Sequence, residues 1–108
     1  MSAETMNSIV ITGVAASASL GTDAATIWRG IRSGRCGIGP MSAIESSVPA
    51  EATGGQARDL PDDYRPDLPR AARYLRWSME QVLHDAALSI DQEYPATRCC
   101  VVLGTTLH

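Results

Sequence analysis

At 108 residues the chain has the size of one small domain, which by ordinary scaling buries roughly two-thirds of its unfolded surface, so it has room for one core and not two. A hydrophobic fraction of 44% is ordinary, but fifteen of those residues are Ala and Phe is absent, so a thin core is expected. Nine scattered basic residues, outnumbered by 12 acids for a net charge of −3, offer no footprint for a phosphate backbone, and a nucleic-acid partner is not expected.

The opening Met1-Ser2-Ala3-Glu4-Thr5-Met6-Asn7 is polar and has no basic region, and the apolar run behind it is too short for a signal peptide. No stretch approaches the roughly 18 apolar residues of a membrane helix, so a membrane partner is not expected either. Three Cys, an odd number with two adjacent, argue against a disulfide framework and for a reducing, cytoplasmic setting.

Ser8-Ile9-Val10-Ile11-Thr12-Gly13-Val14 is a β-branched apolar run closed by Gly, the pattern of a strand buried on both faces in a parallel sheet. After the small residues 15–19, Thr22 or Asp23 can cap a helix. Ala24, Ile27, Trp28 and Ile31 then fall on one apolar stripe, and Gly34 is placed as the C′ residue. From about Met41 to Leu68 the prolines and a Gly-Gly pair predict an irregular segment, with at most a short strand between Ala52 and Ala57.

Asp67 offers the next cap and Pro69 suits a first helical turn. Ala72, Leu75, Met79, Val82, Leu83 and Ala86 repeat at helical spacing, which predicts an amphipathic helix from about Arg70 to Leu88. Arg70, Arg73 and Arg76 on its other face read as a solvated surface. After a loop through Pro95, Cys99 to Leu103 predicts a second doubly buried strand.

The order is strand, helix, irregular segment, helix, strand, an α/β layout with parallel strands. Two strands that are apolar on both faces need neighbours on their edges and helices above and below, and this sequence supplies too few of either. The chain is therefore expected to form part of a larger sheet completed by other sequence, and to be insoluble or molten by itself.

Val10-Ile11-Thr12-Gly13-Val14, Leu20-Gly21, the helix with a central Trp28 and the exit Ser33-Gly34 with Gly37-Ile38 resemble the start of the β-ketoacyl synthases of the thiolase superfamily. Leu83-His84-Asp85-Ala86-Ala87-Leu88 is similar to the family's "L-x-D-A-G-L" helix end, and Val101-Val102-Leu103-Gly104-Thr105 to its "G-x-x-x-G-(S/T)" strand and turn. Order and spacing agree over nearly the whole chain. Ala87 stands where the family has Gly, and Thr106 and His108 replace glycines of a "G-S-G-I-G-G"-like turn.

The resemblance implies residues 1–108 as the N-terminal segment of an αβαβα thiolase-like domain whose remainder is not in this chain. It implies decarboxylative Claisen condensation in fatty-acid or polyketide synthesis, with no cofactor beyond the phosphopantetheinyl acyl carrier protein that delivers the acyl groups. The implied partners are the C-terminal part of the ketosynthase, a second unit in a dimer and that carrier. The family's nucleophilic Cys and two His lie downstream, so no catalytic residue is expected in this chain. Two rival readings stay open: a non-catalytic chain-length-factor type of partner, and a relative that transfers acyl groups without condensing them.

Among residues of this chain, Gly104, Thr106, Leu107 and His108 are expected to line the acyl pocket, with Leu107 at the apolar position that lines it and in some members gates it. An ordinary core Leu is an equal alternative. Cys99 and Cys100 tempt a nucleophile reading, but adjacent strand residues point to opposite faces and free Cys favours burial, so both are read as packing. Cys36 at a helix exit is expected to be exposed and inert, and His84 to sit at a helix C-terminus. With two His and no spaced Cys or acid, a metal site is not expected.

Overall fold

The computed structural model describes residues 7–42, 49, 51–58 and 60–106. Helix α1 spans Ala24–Arg32, strands β1 and β2 span Ile38–Pro40 and Thr53–Gly55, and helix α2 spans Arg70–Asp85; the one-turn helix α3 (Ile90–Glu93) and a 3₁₀ turn, Ala96–Arg98, follow. Among the described residues the strands form one antiparallel pair in the register Ile38 to Gly55 and Pro40 to Thr53.

The caps of α1 lie where the sequence places them. The Asp23 carboxylate accepts from the Thr26 N–H at 2.8 Å and from its hydroxyl at 2.8 Å. These two bonds hold the carboxyl below its ordinary range, with a smaller contribution from Arg29. A carboxyl with a depressed pKa stabilises the fold above the unfolded-state pKa and loses that contribution as pH falls through the folded value. Asp23→Ala is therefore expected to cost about 1 kcal/mol at neutral pH and less in strong acid, as read by denaturant melts of the assembled protein at both pH values.

Both helices end in a paired-carbonyl Schellman turn. At α1 the Gly34 N–H reaches the Ile31 carbonyl at 3.1 Å and the Arg35 N–H the Gly30 carbonyl at 2.9 Å, with Gly34 at φ +73°. At α2 the Ala87 N–H reaches His84 and the Leu88 N–H reaches Leu83, both at 3.0 Å, but the left-handed residue is Ala87 at φ +53°. A Cβ there costs about 1–2 kcal/mol. Ala87→Gly is expected to recover about 1 kcal/mol, seen as a raised denaturation midpoint with an unchanged slope.

α2 starts differently from the sequence expectation. Pro69 is the cap position rather than a helical residue, and it offers no side-chain bond. The Asp67 carboxylate is instead held by the Arg65 guanidinium at 2.7 and 2.9 Å, a two-pronged charge-assisted pair that outcompetes a backbone N–H.

The arginines of α2 are also not simply solvated. Arg73 donates to the carbonyls of Tyr64 at 2.7 Å and Pro61 at 2.8 Å, Arg70 donates to the Ala57 carbonyl, and Arg76 pairs with Glu80 at 3.1 Å. Arg70 and Arg73 fasten the irregular segment before the helix onto it. Above them the Tyr64 and Trp77 rings meet edge to face at 5.1 Å, and the Trp77 indole N–H donates to the Thr22 carbonyl at 2.9 Å. That bond draws the start of α1 onto α2.

The two expected strands are not formed. Residues 8–14 and 99–103 pair with no strand, and their apolar side chains stand in water, Ile9 at 99% and Val102 at 90% exposure. Cys99 and Cys100, read as packed, are likewise exposed. A strand apolar on both faces is buried by neighbours on either side and layers above and below, and the described residues provide none. Leu60, at 7% exposure, is the one large apolar residue among them that is buried. The accessible surface is 9098 Å² against roughly 5,800 Å² for a compact chain of 11.5 kDa.

Candidate functional site

Gly104 and Thr106 follow the unpaired segment 99–103, which leaves the 3₁₀ turn with Cys99 in an extended conformation. Both are exposed, and a Cβ built at Gly104 meets nothing within 4 Å. Leu107 and His108 lie outside the described residues.

The thiols stand apart from any base. Cys36, Cys99 and Cys100 are exposed, and the one thiol hydrogen bond runs from Cys99 to the Pro95 carbonyl at 3.6 Å. A nucleophilic Cys needs a base or cation to hold the thiolate, and the hydrogen bond that Cys99 makes goes to a backbone carbonyl instead. His84 stands exposed in the last turn of α2, as its position in the sequence predicts. No group of three His, Cys, Asp or Glu among the described residues could hold a metal ion.

What the helices do build is a junction. Val14 donates its N–H to the Asp85 carboxylate at 3.0 Å across 71 positions of sequence, at the last residue of α2. Gly13 lies so close to that turn that a Cβ would stand 2.5 Å from the Val82 carbonyl oxygen and 2.8 Å from the Ala86 methyl. A cleft of about 160 Å³ opens beside it, lined by Val14, Asp23, Gln81, His84 and Asp85. Both carboxylates there accept backbone N–H groups, Asp85 from Val14 and Asp23 from Thr26.

Periodicity and spacing do not point to this junction, although Gly13 and Asp85 both fall in stretches that carry the resemblance. Two open grooves lie elsewhere. One of about 360 Å³ runs along the apolar side of α2 past Leu68, Ala72, Leu75, Met79 and Leu83. The other, of about 300 Å³, lies at the exit of α1 between Thr26, Arg29, Gly30, Ser33 and Arg35.

Comparison with known proteins assigns this scaffold. The family model described as the N-terminal domain of β-ketoacyl synthase matches residues 6–108, and the chain belongs to that family. It is 31% identical over 103 residues to the 3-oxoacyl-[acyl-carrier-protein] synthase 2 of Synechocystis, covering 90% of this chain and 24% of that protein. It is 39% identical over 54 residues to Nodulation protein E of a Rhizobium strain and equally to that of Rhizobium meliloti, covering 50% of this chain and 13% of either relative. The chain thus spans about a quarter or less of the relatives it matches. No solved structure gives a significant match. Membership in the family implies a thiolase-like α/β fold, of which the helices and hairpin described here are a small portion. No helix among the described residues is long and apolar enough to cross a membrane.

Proposed function

We propose that this chain forms the N-terminal part of a β-ketoacyl-acyl carrier protein synthase that lengthens acyl chains by decarboxylative Claisen condensation. The observation that carries the reading is the family match over residues 6–108. The two apolar segments without sheet partners support it, because they are the surfaces on which the remainder of such a domain would close.

In the proposed reaction an acyl group held as a thioester on a Cys outside this chain is attacked at its carbonyl by the carbanion left when a malonyl-type extender loses CO₂. The new C–C bond forms as the Cys thiolate departs, and no redox cofactor is required. The acyl groups arrive on the phosphopantetheine arm of a carrier protein, and two such units act as a dimer in the cytoplasm. This chain's contribution is structural: the first strand and helices, and through Gly104, Thr106, Leu107 and His108 one wall of the acyl pocket.

The test is acyl loading of the assembled protein followed by intact-mass and peptide mapping. The expected thioester maps to a Cys outside residues 1–108, and an adduct on Cys36, Cys99 or Cys100 would overturn the assignment. Thr106 and His108, standing where the family has glycines, favour a second reading, the non-catalytic chain-length-factor type; absence of an adduct on any Cys of the assembly selects it. Within the first reading, Leu107→Ala is expected to shift the product profile by at least one two-carbon unit. An unchanged profile with lowered stability would make Leu107 an ordinary core residue.

A further inference from the structure

Cys99 and Cys100 are a pair of oxidisable side chains that the proposed reaction leaves unused. Both thiols are exposed, and they lead into Val101, Val102 and Leu103, which are exposed as well, in a segment that pairs with no strand. The open segment thus presents two adjacent thiols to water at the start of an apolar run whose burial the fold still requires.

Strand pairing and a disulfide between these two residues exclude each other. Successive strand residues turn their Cβ atoms to opposite faces, and cysteines whose Cβ vectors point apart are not bridged without movement of the backbone. Cys99 is already extended, at φ −108° and ψ 140°, and its thiol donates back to the Pro95 carbonyl at 3.6 Å. A bridge to Cys100 needs that backbone to leave the extended conformation. Among the described residues no strand ladder at 99–103 resists such a turn, whereas neighbours on either side would pin each thiol to its own face.

We infer that Cys99 and Cys100 form a redox latch on closure of the sheet. Oxidised to a vicinal disulfide while the segment is open, they keep it from pairing; once it has paired, they are beyond oxidation. The chemistry is a two-electron transfer to a small-molecule thiol oxidant such as an azodicarboxamide. One thiol adds across the N=N bond, the other attacks the captured sulfur, and the S–S bond forms as the S–N bond breaks. The oxidant leaves reduced to the hydrazine, carrying both thiol protons. The latch rests on the closing of residues 99–103 into a sheet, and not on the reaction that the assembled protein performs.

The test treats the assembled protein with the azodicarboxamide diamide, in buffer and in urea just below the unfolding midpoint. Peptide masses locate the oxidation, and elution volume reads the native protein. In urea the peptide holding both residues should lose two hydrogens, and natively eluting protein should disappear roughly tenfold faster with oxidant than without, because the disulfide drains the open form. In buffer both thiols should stay reduced. Cys99→Ala and Cys100→Ala, neither able to close the ring, should lose the acceleration, and Cys36→Ala should keep it. The oxidised peptide in natively eluting protein, its absence in urea, or equal acceleration in Cys99→Ala and Cys100→Ala would overturn the latch. The wild-type mass map decides the question even where an Ala variant folds poorly. Mass and elution are read without turnover, so a protein that folds but does not condense acyl groups would count against the proposed function alone.

Discussion

Val102→Asp is expected to prevent correct assembly of the protein that carries this domain. Val102 stands 90% exposed, between Val101 and Leu103, which are exposed as well. Successive strand residues alternate in facing, so three apolar neighbours in a row mean two apolar faces. Were the segment to remain in water, a surface exchange of this kind would fall within about 0.5 kcal/mol. Were both faces covered by the rest of a parallel sheet, an unpaired carboxylate there would cost several kcal/mol, a large share of the roughly 5–15 kcal/mol that holds a domain folded.

Soluble yield and the elution volume of the assembled protein measure this effect, and amide exchange of residues 99–103 measures it independently. The expected result is aggregation of the variant and slow exchange in the wild type. Wild-type yield of Val102→Asp together with fast exchange would mean that the segment stays in water, and the sheet-completion argument would fall with it.

What the sequence made legible was local. Asp23 as a cap, Gly34 as a left-handed C′ residue and the helical repeat of Ala72, Leu75, Met79 and Val82 depend on a few neighbouring positions, and they appear where periodicity and capping rules put them. The short strand Thr53–Gly55 also falls inside the window that composition left for it. The failures came where a distant or competing partner decides. Asp67 reads as a cap until the Arg65 fork two residues earlier takes its carboxylate. Arg73 reads as a solvated cation until the folded loop brings the carbonyls of Pro61 and Tyr64 to it.

The two strands illustrate a different limit. Apolar runs at 9–11 and 101–103 state correctly that these residues avoid water, but a strand is made by its neighbours and none is among the described residues. The candidate pocket was legible only through family resemblance. Gly104 and Thr106 lie exposed, and a Cβ at Gly104 meets nothing within 4 Å, so periodicity and spacing had little local geometry there to predict.

Gly13→Ala should be among the most damaging small substitutions in the helical half of the chain. The added Cβ would sit 2.5 Å from the Val82 carbonyl oxygen, 2.8 Å from the Ala86 Cβ and 2.9 Å from the Ala86 nitrogen. Two of these are backbone atoms of the last turn of α2, which cannot swing aside as a side-chain tip would. Relief requires the segment at 13–14 to move off the helix, and that movement breaks the 3.0 Å bond from the Val14 N–H to Asp85. Overpacking of this kind costs about 1–3 kcal/mol, and the lost bond adds about 1 kcal/mol at an exposed site. Gly39→Ala, whose Cβ would meet only the end of the flexible Arg58 side chain at 3.8 Å, is the matched control and should stay within about 0.5 kcal/mol. Urea denaturation of the assembled protein compares the two. The cycle with Asp85→Ala gives the sharper result: because displacement by Gly13→Ala already breaks the Val14 bond, removing Asp85 in that background should cost much less than removing it from the wild type. Additive losses would mean that the Cβ is accommodated without moving the segment, and that Gly13 does not hold the strand end against α2.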